Sequence, residues 1–473
     1  MVENFSGAST ARLGARQWLA IGALGASFLV VAADSTIVYA AIPSIQRTLD
    51  LSTATVQWLM SAFLISFGGV LLLSSRLAEL FGRRRLFTIG LALMTAASML
   101  SAVAWAGEVL IGARVLQGIG AALIATTALP LLAIALGPGP ARVRALGLWT
   151  LIGAFGGTTG LLLGGLLTDT VGWRWVFLVN VPVGIVAALL APILPPDRCG
   201  GSGHPLEVAG GVSLVGALTL IGWTIVAAFA PGSSTGPALL RLAAAAVLLL
   251  LFLVIEARTG RRLVRPGLLR SRTRLGGLVV LFAAGTLIDA VLLLVTLYGQ
   301  GALGLSATRF GALMVALTLS SVVGSYVGQV VVVRHGLRLV ALTGMSVAGA
   351  GLLALATVNG PLDTVDFLSV LPVVGVGAGA AFVAAQIAVT LGASDADSAA
   401  ASGLSDASFS LGGALGLAAV SAVLVANQAE LPVPMGAALP MAFTVTAGLA
   451  AIGLVAALLL MGQQRTPVPS QGT

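Results

Sequence analysis

Trp18–Pro43, WLAIGALGASFLVVAADSTIVYAAIP, is the stretch whose reading decides the fold. It carries no charge from Trp18 to Ala33, and the apolar run resumes after Asp34 through Ile45. A run of that length crosses a hydrocarbon core about 30 Å thick as a helix. Asp34 therefore falls inside a membrane segment, where an ionised carboxylate costs about 2.5–3.5 kcal/mol on insertion scales. A residue held at that cost is expected to face a cavity or a partner and to do work.

The rest of the chain has the same character. Of its 473 residues, 58% are hydrophobic and 8% charged, with a mean hydropathy of +1.07. Soluble domains carry about 25% charged residues, so water-soluble classes are excluded. The 61 glycines suit helices that approach closely in lipid. A net charge of +8 would suggest nucleic acid in a soluble chain. Here all 24 basic residues are arginine and they concentrate in short loops on one side of the apolar runs, which is the pattern that orients a membrane protein. Cys199 is the single cysteine, lies in a polar linker, and forms no intrachain disulfide. Arg12 and Arg16 imitate the start of a signal peptide, but the run after them continues to Ile45, which favours an uncleaved first span.

Apolar runs separated by Gly, Pro and charged breaks predict fourteen spans, from 17–41 to 440–461. Nineteen arginines then fall at the termini and in the loops after even-numbered spans, against four on the opposite side (Arg47, Arg174, Arg241 and Arg309), with Arg114 inside a span. Both termini are therefore expected in the cytoplasm. An internal repeat is also legible. Leu51-Ser52-Thr53-Ala54 recurs as Leu305-Ser306-Ala307-Thr308, Asp34 maps onto Asp289, and Gly82 maps onto Gly336, all at offsets of 254 or 255. The chain reads as an all-α membrane protein of two six-helix bundles, 1–195 and 258–473, with 196–257 supplying a linker and two inserted spans. Two parallel halves around a midplane site describe one large class of secondary transporter. The polar linker Pro195–Glu207 and the arginine-rich stretch Glu256–Arg274 punctuate this plan, the latter read as a topology and headgroup contact.

Ser75-Arg76-Leu77-Ala78-Glu79-Leu80-Phe81-Gly82-Arg83-Arg84-Arg85 resembles the cytoplasmic loop motif of the major facilitator superfamily, with Ser75 in place of Gly and Glu79 in place of Asp. Ala33-Asp34-Ser35-Thr36-Ile37-Val38-Tyr39-Ala40-Ala41-Ile42-Pro43 resembles the first-span signature of the fourteen-span drug:proton antiporters of the EmrB/QacA type, with Ala33 and Tyr39 departing from its Leu and Asn. Leu110–Ala122, with Arg114, Gln117, Gly118 and Gly120, is similar to that family's fourth-span motif, and Trp173–Gly184 is similar to its W-R-W-x-F-x-x-N-x-P-x-G run. The fifth-span motif keeps Gly156, Gly160, Gly164 and Gly165 but has Leu161 where the family has Pro. The resemblance implies a major facilitator fold and a latch at Glu79, Gly82, Arg83 and Arg84. It further implies export of drugs, antibiotics or related hydrophobic compounds across a bacterial plasma membrane, driven by protons through alternating access.

Physical chemistry gives these residues roles. Asp34 and Arg114 are each costly alone and cheaper as neighbours. A proton moving down the potential brings about 2.3 kcal/mol per 100 mV, enough to bias alternating access. Asp289 is the second deep carboxylate and has no obvious basic partner, so it is expected to take a proton or a cationic substrate. Asp406 is read as a possible helix N-cap. Tyr39, Gln57, Trp58, Phe63, Tyr298, Phe382 and Gln386 are candidate cavity residues, and Gly118, Gly156, Gly160, Gly164 and Gly165 are expected at close helix contacts. An uptake or facilitative carrier and a lipid or natural-product exporter remain as alternatives on the same fold. Against an enzyme, His204 and His335 lie outside the spans, and there is no HExxH, no lysine and no cysteine within a span. No metal, cofactor or nucleic acid is expected. The expected partners are a small-molecule substrate, protons and membrane lipids, and the chain is expected to be a monomer.

Overall fold

In lipid every backbone N–H and C=O must find its partner within the segment, so apolar runs of this length can only become helices or a closed barrel. The computed structural model describes residues 14–137, 139–196, 205–228, 235–258, 271–357, 363–392, 395–430 and 438–462. Their order is α1 (Ala15–Leu49), α2 (Thr53–Phe81), α3 (Arg83–Ala102), α4 (Gly107–Leu136), α5 (Pro140–Thr170), α6 (Arg174–Leu178), α7 (Asn180–Leu190), α8 (Pro205–Ala228), α9 (Thr235–Arg258), α10 (Arg272–Gly301), α11 (Ala307–His335), α12 (Leu337–Ala356), α13 (Thr364–Thr390), α14 (Asp395–Glu430) and α15 (Ala438–Leu460).

Among the described residues, eleven helices are long and apolar enough to cross a membrane, α6 and α7 counting together as Arg174–Ile193. The number is twelve if Gly147–Gly153 and Phe155–Thr170, bent by 41° within α5, form one span. The expected spans at 55–75 and 208–230 correspond to α2 and α8, whose described apolar parts are shorter, Thr55–Leu71 and Ala209–Ile225. The protein is thus an all-helical membrane protein with eleven or twelve candidate spans. Residues 197–204 and 259–270 of the two expected linkers lie outside the described residues.

The repeat read from the sequence reappears as matching local structure. Ser52 accepts the N–H of Thr55 at 3.2 Å and starts α2, and Ser306 accepts the N–H of Arg309 at 3.2 Å and starts α11. Each hydroxyl satisfies one of the donors a helix leaves open at its first turn. Gly82 (φ 90°) joins α2 to α3, and Gly336 (φ 87°) joins α11 to α12. A side chain at that φ is strained, so each tight corner between successive helices has its glycine.

Packing sorts most helices into two sets. In the first, α1 packs on α4 and α5, α2 on α4, and α3 on α4, α6 and α7; in the second, α10 packs on α13, α14 and α15, α13 on α11 and α12, and α12 on α15. The sets meet along two seams, α5 with α11 and α2 with α14, while α1 crosses α10 between them. Helix α8 lies against both α2 and α14, and α9 packs on α8. The side of α9 away from α8 is apolar and exposed, with Leu240, Val247, Leu250 and Leu253 outward, as suits a lipid-facing helix.

Candidate functional site

The α1 register is set by its contact with α5. A Cβ on Gly156 would lie 2.4 Å from Ala32 Cβ, one on Gly160 2.4 Å from the Ala33 carbonyl oxygen, and one on Gly164 2.3 Å from that of Ile37. These three glycines let the α5 backbone approach α1 on one face, which turns Asp34 away from α5 and toward α4 and α7. Gly165 differs: its Cβ would meet the Ala307 oxygen of α11 at 2.3 Å, so it packs across the seam between the two sets. Gly118 faces α2, where a Cβ would meet Phe63 O at 2.5 Å.

Asp34 and Arg114 form a fully buried ion pair, Nη1 to Oδ2 at 2.6 Å, with both side chains 0% exposed. The rest of the guanidinium is also engaged. Its Nε donates to Leu59 O at 3.2 Å, Nη1 also to Gln117 Oε1 at 3.1 Å, and Nη2 to Asp34 O at 3.5 Å. The Phe63 ring covers its face at 4.2 Å. The other carboxylate oxygen, Oδ1, accepts from Asn180 Nδ2 at 2.7 Å and from Gln117 Nε2 at 3.4 Å. Ser98 Oγ then accepts from Gln117 Nε2 at 2.9 Å and from Asn180 Nδ2 at 3.3 Å, and Ser101 Oγ donates to Gln117 Oε1 at 3.4 Å. Such saturation is what a buried pair requires, because its desolvation cost is offset only when the remaining donors and acceptors are matched. Removing one partner from a pair of this kind costs about 3–5 kcal/mol.

The network ties α1, α2, α3, α4 and α7 into one unit through charge. Protonating Asp34 would cancel the charge that Arg114 faces and weaken the acceptor of the Asn180 and Gln117 amides. The opposite charges of Asp34 and Arg114 thus hold these helices to one another. The carboxylate does not reach solvent in this conformation. Sequence spacing gives Asn180 and Gln117 no role of their own within their motifs. Their signal in the sequence is an amide side chain inside an apolar span.

Asp289 is buried, 6% exposed, in α10. Its partner is the hydroxyl of Tyr39, which donates to Oδ1 at 2.8 Å across the two sets. Near the end of α10, Gln300 Nε2 donates to Ala40 O of α1 at 3.1 Å. At the α5–α11 seam, Thr158 Oγ1 donates to Thr318 Oγ1 at 2.8 Å. The carboxylate of Asp169, at the end of α5, accepts the backbone N–H of Ala307 at 3.2 Å and of Thr308 at 2.8 Å, capping α11 from the opposite set. Contact along this seam steps from Gly165–Ala307 to Leu161–Gly311 to Thr158–Thr318. Further along, Leu151 of α5 and Tyr326 of α11 are exposed.

The structure revises other expectations. Tyr39, Gln57, Phe63 and Tyr298 are enclosed by packing and do not line an open space. Each is large enough to be held by the interdigitated helices around it. Trp58 faces α8, 3.8 Å from the Cβ position of Gly222. Phe382 and Gln386 are partly exposed. Asp406 is no cap: α14 begins at Asp395, about three turns earlier. In the expected latch, Gly82 N–H donates to Ala78 O at 3.1 Å and Arg84 Nη1 donates to Leu194 O at 3.3 Å. Arg83 is partly exposed, and the side chain of Glu79 lies outside the described residues.

A family model described as Major Facilitator Superfamily matches residues 23–417. The puromycin resistance protein pur8 of Streptomyces alboniger is 33% identical over 415 residues, covering 86% of this chain and 82% of that protein. The cephamycin export protein CmcT of Amycolatopsis lactamdurans is 35% identical over 419 residues, covering 86% and 85%. The fold also resembles that of a mutant of the nucleoside transporter NupG, with a TM-score of 0.64 over 94% of this chain and all of that one, at 12% identity.

Proposed function

Since this chain belongs to the Major Facilitator Superfamily, we propose that it is a proton-coupled exporter of drugs, antibiotics or related small hydrophobic compounds, working by alternating access in a bacterial plasma membrane. The observation that carries this reading is the buried Asp34–Arg114 pair with its saturating amide donors. An acid held at that cost in a membrane marks a coupling site, and relatives are named for antibiotic resistance and export. Asp289 is a second coupling group, exchanging its Tyr39 bond for a proton or substrate as the halves separate.

In this reading, α2 and α8 also cross the bilayer, giving fourteen spans of the drug:proton antiporter type. The halves are 1–195 and 258–473, and 196–257 carries the inserted pair. Both termini are cytoplasmic, following the arginine bias, so the closed α5–α11 seam lies at the outer face and the conformation is inward-facing. The Glu79, Gly82, Arg83 and Arg84 loop closes the inner face in the alternate state, and the chain works as a monomer.

Efflux from cells and uptake into inverted vesicles test this directly. Wild type is expected to move substrate only with a proton gradient, and Asp34→Asn is expected to abolish accumulation while the protein still reaches the membrane. Export that persists with a protonophore and with Asp34→Asn would refute the antiport reading.

A further inference from the structure

Gly165, Leu161 and Thr158 form the stripe by which α5 meets α11, and Ala307, Gly311 and Thr318 answer it from α11. At 100° per residue, Leu151 and Gly147 fall within about 50° of the centre of the first stripe, and Gln329 within about 20° of the centre of the second. The near part of each stripe is buried, with Leu161 at 0% and Ala307 at 4% exposure, yet Leu151 is 54% exposed, and Gly147 and Gln329 are exposed as well. A Cβ on Gly147 would meet nothing within 4 Å. Residues aimed at a facing helix are exposed only where that helix has drawn away. Beyond the Thr158–Thr318 bond, toward the start of α5 and the end of α11, the two helices therefore part. The other seam stays shut over a comparable length, with Gly68 against Ser410 and Leu411, and Gly403 against Leu71.

The rim of this gap has a distinct chemistry. Tyr326, 69% exposed, stands on the edge of the α11 stripe away from α13, and Phe155 of α5 is exposed on the matching edge. Among the described residues, no hydrogen bond engages the Gln329 amide or the Tyr326 hydroxyl. From the Thr158–Thr318 bond to Gly147 and Gln329, neither stripe carries a charged residue. Gln329 lies about 9 Å from the end of α11 at His335, so its amide falls near the headgroup boundary of one leaflet. From there the gap runs about 16 Å along the axis toward the bilayer centre, to Thr318. It is polar at its mouth and apolar within, and an amide left unpaired in such surroundings is costly.

We propose that this gap is a lateral binding site for an uncharged amphiphile drawn from the adjoining leaflet, with its polar head on the Gln329 amide and its apolar chain between Leu151 and Tyr326. The amide supplies both donors and an acceptor, which suits a hydroxyl or ester head and offers a full charge no counter-ion. An acyl chain gains little by leaving lipid for an equally apolar wall, so the amide decides which molecule stays. The site deepens the export reading by naming a substrate class and its route, and rests on it for the leaflet: with both termini in the cytoplasm, the mouth lies on the inner side. It uses neither Asp34 nor Asp289.

The test is photolabelling of the full chain in phosphatidylcholine nanodiscs that carry a trace of a diazirine-bearing monoacylglycerol, with adducts mapped by peptide mass spectrometry; it needs no proton gradient. Labelling around Leu151 and Gln329 is expected to exceed that on the lipid-facing side of α9 at least threefold and to fall when unlabelled monoacylglycerol is added in excess. In Gln329→Leu it is expected to drop several-fold while labelling of α9 is unchanged, and thermal unfolding shows that the variant is folded. Diazirine-bearing phosphatidylcholine, with its zwitterionic head, is expected to label both regions evenly. Even labelling of the two regions by the monoacylglycerol, equal enrichment of phosphatidylcholine in the gap, or an enrichment that Gln329→Leu leaves intact would overturn the proposal. Export that survives Asp34→Asn would strike the antiport reading and leave the labelling result standing.

Discussion

Gly165→Ala separates the stability of one helix set from the balance between the two. The added Cβ would lie 2.3 Å from Ala307 O, 2.8 Å from Ala307 C and 2.9 Å from Thr308 Cα. All three are backbone atoms at the start of α11, with no flexible side chain to swing aside. Relief to ordinary contact needs the helices to part by roughly 1 Å, and overpacking of this kind costs about 1–3 kcal/mol. The same shift would stretch the bonds from Ala307 N and Thr308 N to Asp169, now 3.2 and 2.8 Å. Only the state in which α5 and α11 close on each other bears the cost. Under alternating access a bias of about 1–3 kcal/mol redistributes the two states by about 5- to 150-fold. Spin labels at Thr170 and Arg309, both exposed at the ends of the seam, report the separation by pulsed dipolar spectroscopy. The long-distance population is expected to become dominant in Gly165→Ala. The control is Gly160→Ala, whose Cβ meets Ala33 O at 2.4 Å inside one set; it should lower thermal stability and leave the distance distribution alone. A folded Gly165→Ala with an unchanged distribution would show that this contact does not hold the two sets together.

Three further substitutions probe the buried network. Asn180→Leu removes the 2.7 Å donor to Asp34 Oδ1 and leaves the acceptor under-satisfied, so stability should fall by about 1–3 kcal/mol and gradient-driven efflux should drop at least tenfold; denaturation in detergent and vesicle transport measure the two. Arg114→Gln leaves Asp34 buried without its counter-ion, at about 3–5 kcal/mol. The double change with Asp34→Asn should recover much of that loss in thermal unfolding, and additive effects would contradict the pairing. Tyr39→Phe keeps the ring and deletes the hydroxyl bonded to Asp289; the spin-label pair above should then report more of the separated state, whereas an unchanged distribution would mean that this bond does not join the sets.

Span length, the Leu-Ser and glycine repeat, and the pairing of Asp34 with Arg114 are legible in the chain, because they follow from hydropathy, spacing and the cost of lone charges in lipid. The partner of Asp289 is not, because its ligand is a tyrosine on a helix 250 positions away in sequence, and single-sequence spacing carries no signal for such a crossing. Gln57, Phe63 and Tyr298 look like cavity residues in sequence because they are polar or aromatic on apolar spans, yet packing encloses them. Asp406 reads as a cap because helix starts are the least certain feature of a pattern reading. Gly165 shows the same limit in another form: four glycines in one motif read alike, and only the structure shows that three meet α1 and the fourth meets the opposite set.

The position of α8 constrains how the molecule can flex. It is strapped over the α2–α14 seam with Val215 against Gly69 on one side and Gly222 beside Leu415 on the other, while among the described packing contacts no comparable helix bridges α5 and α11. Two bodies bound along one edge part like the covers of a book whose spine is sewn. In the alternating-access cycle proposed above, the free edge would travel farther than the sewn one and open the wider gap on that flank.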